Sequence, residues 1–171
     1  MQGRNEQYYE AYLSHNQISR RGLFRSLFHS VDKGQASLAR LAHRPPFAAE
    51  EHLFLAACNG CGDCVQACPH HLIQIQQQKA VLEIDYMSCN LCGLCAESCS
   101  RNALNLVFKK DTELRPQFSS DCLVKQKQHC TTCLEKCPQQ AISNNLIVNN
   151  ELCNGCGECK ISCFLSAIQL V

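Results

Sequence analysis

The sequence predicts a small α+β fold: two tandem units, each organised around cysteine-bound inorganic cores, behind a basic N-terminal helical arm. Three observations predict it. Cysteine accounts for 16 of 171 residues, about 9%, the range of scaffolds built on cysteine rather than on a large apolar core. All 16 fall into four quartets that repeat along the chain. Basic residues, by contrast, concentrate ahead of the first cysteine. Apolar residues reach 46%, but without cysteine the share drops to about 37%, too little for side-chain burial alone to hold the fold. Trp is absent and aromatics are 6%. A net charge of +1 argues against a bulk polyanion partner such as nucleic acid. No window approaches 18 consecutive apolar residues, so no transmembrane segment is expected.

The arm is residues 1–47, with seven Lys/Arg against three Asp/Glu and no cysteine, ending just past Arg44-Pro45-Pro46. Phe24, Leu27, Phe28 and Val31 recur at helical spacing beside Arg20, Arg21 and Arg25. This reads as a short basic amphipathic helix, which either packs on the body or docks a partner through Arg20, Arg21, Phe24, Leu27 and Phe28. Ser19-Arg20-Arg21-Gly22 has the look of a twin-arginine export motif. The charged segment Ser30-Val31-Asp32-Lys33 stands where an apolar stretch would follow, and no cleavage site is present. A cytoplasmic location is therefore expected.

The body is an internal repeat. The first quartet is Cys58, Cys61, Cys64, Cys68, closed by Pro69, and the second is Cys89, Cys92, Cys95, Cys99. The third, Cys122, Cys130, Cys133, Cys137 with Pro138, has a stretched first gap of seven residues. The fourth is Cys153, Cys156, Cys159, Cys163. Apolar runs at 72–75 and 81–84, and at 141–142 and 146–148, predict hairpins joining consecutive loops. Runs at 103–108 and 167–171 predict single closing strands. Residues 48–112 form the first unit (motifs 48–78 and 80–109) and 113–171 the second (irregular motif 113–142, regular motif 143–171). The linker between them lies near 109–116. Pro69 and Pro138 are placed in the first turn of a helix opening after each fourth cysteine, with His70 and His71 in that turn.

Three cysteines spaced three apart wrap a tight loop that aims three thiolates at successive corners of one cube; this is the bacterial run for [4Fe–4S] clusters. A structural zinc site instead joins two separated two-cysteine hooks. Disulfides would make the repetition a coincidence and suit another compartment. Iron–sulfur chemistry is the expectation, with three or four clusters per chain and four favoured, since the third quartet keeps all four thiols. His129, next to Cys130, is either a hydrogen-bond donor to a cluster sulfur or a solvated loop residue. Lys125, Lys127 and His129 in the third loop are expected to admit water to its cube. No nucleophile–base pair, phosphate loop or dinucleotide fingerprint occurs, so no catalytic residues and no enzyme are expected.

These quartets, together with Ser19-Arg20-Arg21-Gly22, Arg44-Pro45-Pro46, Glu51-His52-Leu53-Phe54-Leu55 and Leu152-Cys153-Asn154-Gly155-Cys156-Gly157, resemble bacterial ferredoxin-type proteins, more narrowly the NapF family of the periplasmic nitrate reductase system. The resemblance covers residues 19–171. It implies two tandem ferredoxin-like units around [4Fe–4S] clusters. It also implies a cytoplasmic accessory role: binding the catalytic subunit of periplasmic nitrate reductase before export and assisting maturation of its iron–sulfur centre. The competing expectation is a soluble single-electron carrier to a reductase or quinol-linked partner. The crossover known in two-cluster ferredoxins would pair Cys58, Cys61, Cys64 with Cys99, and Cys89, Cys92, Cys95 with Cys68. In the second unit it would pair Cys122, Cys130, Cys133 with Cys163, and Cys153, Cys156, Cys159 with Cys137. Ligation within each quartet is the alternative.

Overall fold

The computed structural model describes residues 40–171; the arm residues Arg20, Arg21, Phe24, Leu27 and Phe28 lie outside them. The element order is α1 (Glu51–Ala57), α2 (Asp63–Ala67), β1 (Ile73–Gln76), β2 (Lys79–Leu82), α3 (Leu94–Glu97), β3 (Pro116–Phe118), α4 (Thr132–Glu135), α5 (Glu158–Ile161) and β4 (Ile168–Leu170). It is a small mixed helix–strand protein dominated by loops.

β1 and β2 form the hairpin expected after the first quartet, in the register Ile73 opposite Leu82 and Gln76 opposite Lys79. Its two turn residues, Gln77 and Gln78, both have positive φ (48° and 58°), which a two-residue turn demands even of side chains other than Gly and Asn. The hairpin expected after the third quartet shrinks to one bridge, Ile142 with Val148. The strand expected at 103–108 likewise reduces to one bridge, Leu104 with Ala48. Residues 168–170 do form a strand, and it pairs with β3 at 116–118. The predicted linker therefore ends in a strand, and within it Asp111, Thr112 and Leu114 are buried.

The larger core gathers Phe47, Leu53, Phe54, Leu72, Leu82, Ile84 and Leu104, with Ile161 and Leu170 of the C-terminal half packed against it. The smaller one has Ile142 and Ile168 beside Cys133 and Cys159. The predicted end of the arm at residue 47 is not a structural boundary. Pro45 and Pro46 are fully buried, Phe47 donates to the Lys109 carbonyl at 3.0 Å and accepts from Asn105 at 2.9 Å, and Arg44 is buried against Glu51 at 2.7 Å. Composition marked this stretch as basic, but burial of its Pro-Pro-Phe run joins residues 40–47 to the body. Among the described residues, no helix is long and apolar enough to cross a membrane.

Candidate metal centres

Each of the helices α2, α3, α4 and α5 holds the third cysteine of its quartet (Cys64, Cys95, Cys133, Cys159), and these four thiols are buried. The fourth cysteine comes at or just past the helix end: Cys68 is the C-cap of α2. This corrects the expectation of a helix opening after it. Pro69 follows a helix C-terminus, where proline is common because it cannot continue the helix. His70 and His71 lie in the turn beyond, His71 at φ 53°. The same reversal recurs at Asn102, Gln140 and Ser166, all with positive φ. Each of these residues donates its N–H to the carbonyl of the fourth cysteine three residues back, at 3.0–3.1 Å. The short helix carries the fourth cysteine away from its own loop, and the chain reverses after it.

The result is four cavities with one cysteine exchanged in each. The first is lined by Cys58, Cys61, Cys64 and Cys99. The second is lined by Cys68, Cys89, Cys92 and Cys95. Cys122, Cys130, Cys133 and Cys163 line the third, and Cys137, Cys153, Cys156 and Cys159 the fourth. The grouping is crossed in both halves. The four cavities are of similar size, so the stretched loop leaves the third no smaller than the others.

The donor chemistry fits cubes. All 16 cysteines are free of disulfides. Among the described residues, no three or more His, Cys, Asp or Glu side chains converge tightly enough to hold one ion. A tetrahedral zinc draws four sulfurs to within about 2.3 Å of one point, whereas a cube takes one thiolate at each of four separated corners. Burial pushes the Cys64 thiol up to about 11, with Cys58 and Cys99 adding repulsion. It pushes Cys95 and Cys159 up to about 12. Such thiols give up their protons to a metal that repays the charge. Amide donors reach the sulfurs as well: Leu72 N–H to Cys68 Sγ at 3.5 Å and Ala141 N–H to Cys137 Sγ at 3.3 Å.

Asn59, Asn90 and Asn154 each follow the first cysteine of a regular quartet. Their side-chain oxygens accept from the N–H of Cys61, Cys92 and Cys156 at 3.2–3.3 Å. Sequence reasoning passed over Asn90, although the Cys-Asn-x-Cys repeat was visible. In the third quartet Leu123 follows the first cysteine and offers no such acceptor. Its seven-residue gap coils instead, with Gln126 N–H bonding the Cys122 carbonyl at 3.1 Å and Gln128 N–H the Leu123 carbonyl at 2.8 Å. The coil puts Leu123 and Val124 into the cavity wall and leaves Lys125, Lys127 and His129 exposed. Lys125 donates to the Phe118 carbonyl. The expected water-admitting loop is thus an apolar cover, because coiling separates its aliphatic residues from its charges. His129 is an exposed loop residue.

The glycines before α2 and α5 make a matched test. Gly62 and Gly157 have φ of 89° and 84°, but a Cβ at Gly62 meets nothing within 4 Å whereas one at Gly157 would lie 2.4 Å from Ile84 Cγ2. Gly62→Ala is expected to cost about 1–2 kcal/mol in backbone strain alone. Gly157→Ala adds overpacking of about 1–3 kcal/mol. Anaerobic denaturant midpoints of the two holoproteins check the order.

Residues 57–103 match the family of 4Fe-4S dicluster domains. A Haemophilus influenzae protein described as uncharacterized is 60% identical over 167 residues, 98% of this chain and 99% of its own length. A ferredoxin-type protein NapF of the same organism is 34% identical over 139 residues, 74% of this chain and 77% of that one. The chain belongs to the NapF family of ferredoxin-type proteins. The Escherichia coli K12 NapF is 28% identical over 88% of this chain and 92% of its own. As a NapF-family member it is a ferredoxin-type iron–sulfur protein of the [4Fe–4S] kind.

Proposed function

We propose that this NapF-type chain is a cytoplasmic [4Fe–4S] accessory protein, not an enzyme, that binds the catalytic subunit of periplasmic nitrate reductase and assists assembly of its iron–sulfur cluster before export. The observation that carries a four-cluster protein is the set of four cavities, each lined by four cysteines. On this reading the C-terminal half is a second ferredoxin-like unit. Its two cavities repeat the crossed grouping of the first half, and the 16 cysteines are the ligands. Bound there, each cluster would supply a one-electron couple. The third cysteine would hold each cluster from a short helix, the first and second from the preceding loop, and the exchanged fourth would close the set. The choice of partner rests on family membership and on the basic arm, whose Phe24, Leu27 and Phe28 would serve as anchors and Arg20 and Arg21 as flanking charges.

One observation favours the carrier reading beside it. The charge of a thiol in one cavity reaches a thiol in the next: Cys64 raises Cys95, Cys156 raises Cys89 and Cys133 raises Cys159. A series of centres without a gap suits electron transfer.

Anaerobically reconstituted full-length protein is expected to hold about 16 irons and as many labile sulfides; a plateau near 12 would leave one cysteine set unused. It should capture the cytoplasmic precursor of the reductase catalytic subunit, and deletion of residues 1–39 should weaken capture. Failure of both forms to bind, with rapid electron delivery to a quinol-linked partner, replaces the accessory role with the carrier.

A further inference from the structure

The chain order of the quartets suggests a path running one, two, three, four, with the third loop meeting the end of the first half. The packing is different. The connector 109–116 brings the fourth loop, not the third, onto the second. Cys89 donates its N–H to the Cys156 carbonyl at 2.8 Å, and Thr112 N–H donates to the Asn154 carbonyl at 3.1 Å. The Thr112 hydroxyl donates to the Gly155 carbonyl at 2.8 Å. Ser88 Oγ donates to Glu158 Oε2 at 2.6 Å. Lys160 Nζ donates to the Ile84 carbonyl at 2.6 Å and pairs with Asp85 at 3.0 Å. The absence of a side chain on Gly157 lets Ile84 approach. Every partner supplied by the C-terminal half in these contacts falls within residues 154–160.

We propose that the four centres form one unbranched electron path in the order first, second, fourth, third cavity, and that the Cys89 N–H···O=C Cys156 hydrogen bond is its crossing between the halves. Cys89 lines the second cavity and Cys156 the fourth. The two ligand side chains are thus joined through two short stretches of backbone and one hydrogen bond. Ser88, Glu158 and Lys160 are positioning residues that clamp this junction. Within each half the exchanged cysteine does the same work covalently: Cys68 and Cys99 tie the first and second cavities to each other's loops, as Cys137 and Cys163 tie the third and fourth. The first and third cavities become the ends. One wall contains Arg101 and Ile75, while the other contains the exposed Phe164 and Leu165.

Transfer along the path is one electron at a time. An external one-electron reductant loses an electron at one end, each centre is reduced as its neighbour is oxidised, and a one-electron acceptor gains the electron at the other end. No bond is made or broken and no proton moves.

The inference rests on the reading that the cysteine sets hold clusters, so the test first fixes the metal content. Reduced neighbouring clusters split each other's electron paramagnetic resonance signals, and a cluster with no neighbour gives a simple unsplit one. Full-length protein holding about 16 irons is reduced with dithionite and compared with Cys130→Ala and Cys153→Ala, which remove a ligand from the third and fourth cavities. Each variant is taken at about 12 irons. Loss of the fourth centre should strand the third and give an unsplit signal of about one-third of the spins. Loss of the third should strand none. The reverse pattern, or an unsplit signal in both or neither, overturns the path while leaving the cluster-binding reading intact. Failure of the unmutated chain to bind iron sinks that reading instead. Should either ligand variant not fold, Ser88→Ala/Lys160→Met leaves all 16 cysteines in place. It should keep about 16 irons and lose the splitting that crosses between the halves; an unchanged spectrum overturns the proposal.

Discussion

Chelating the iron from the full-length protein at pH 7 is expected to abolish its cooperative unfolding transition and most of its far-ultraviolet circular dichroism. The reason is how little else holds the chain. The smaller core contains two buried non-cysteine aliphatics, Ile142 and Ile168, at about 1.5–3 kcal/mol each. Ordering the backbone around them costs about 1–2 kcal/mol per residue. The helices α3, α4 and α5 have four residues each, far below the length at which a helix stands alone. The C-terminal half should therefore be the first to melt.

Alkali does not rescue the metal-free chain. Burial first, and neighbouring thiols second, raise Cys95 and Cys159 from 9.0 to about 12. The folded form then keeps these protons to higher pH than the unfolded one. Their contribution is complete below pH 9 and is lost as the pH rises toward 12. Metal-free protein should be no more ordered at pH 11 than at pH 7. A native-like spectrum surviving complete iron removal would show that the polypeptide carries the fold without its clusters.

Removing the Arg44 guanidinium is the substitution with the largest expected effect away from the cysteines. Arg44 and Glu51 are almost fully buried, their side chains 4% and 1% exposed. Arg44 Nη2 and Nε meet the two Glu51 oxygens at 2.7 and 3.2 Å, and Nη1 donates to the Ala80 carbonyl at 3.0 Å. The guanidinium also lies 4.6 Å from the Phe54 ring centroid. Truncating Arg44 leaves the buried Glu51 charge with only the longer Arg40 contact at 3.4 Å and the Leu41 N–H at 3.3 Å, so Arg44→Met should cost the holoprotein about 3–5 kcal/mol. Arg40→Met removes a pair with the exposed Glu113 at 2.7 Å and only a longer contact with Glu51, at 3.4 Å, so it should cost less than Arg44→Met. Burial alone would raise the Glu51 carboxyl, but the hydrogen bonds and charge of Arg44 outweigh it and hold the group below 4.5. The pair's contribution is thus complete above pH 4.5 and lost as the pH falls through the lowered value. Anaerobic denaturant midpoints of the variants, measured at neutral pH and near pH 4, check both the size and the sign.

Much of the site was legible because cysteine spacing is a local code. Cys58, Cys61 and Cys64 fall within seven residues, and no distant contact is needed to see that they face one core. The hairpin at 73–82 was legible for a similar reason, since its alternation and turn lie within ten residues. The helix position was misjudged. Pro69 suits a helix start or the stretch after its end, and what decides is the reversal at His71, a positive φ at a residue type that does not advertise it. The third loop was misjudged too. Its composition is polar, yet coiling sends Leu123 and Val124 inward and the lysines outward, and composition does not record direction.

The sequence by itself determined the chemistry: sixteen thiols in repeating quartets, a low share of apolar side chains, and the ferredoxin-type family. Tertiary structure decided how the quartets share cysteines, that residues 40–47 belong to the body, and that the fourth loop rather than the third rests on the second. Ligand type and spacing act over a few residues and are written in the chain. The juxtaposition of Cys89 with Cys156, 67 positions apart in the numbering, depends on a connector buried through Asp111, Thr112 and Leu114, and burial is a property of the packed whole.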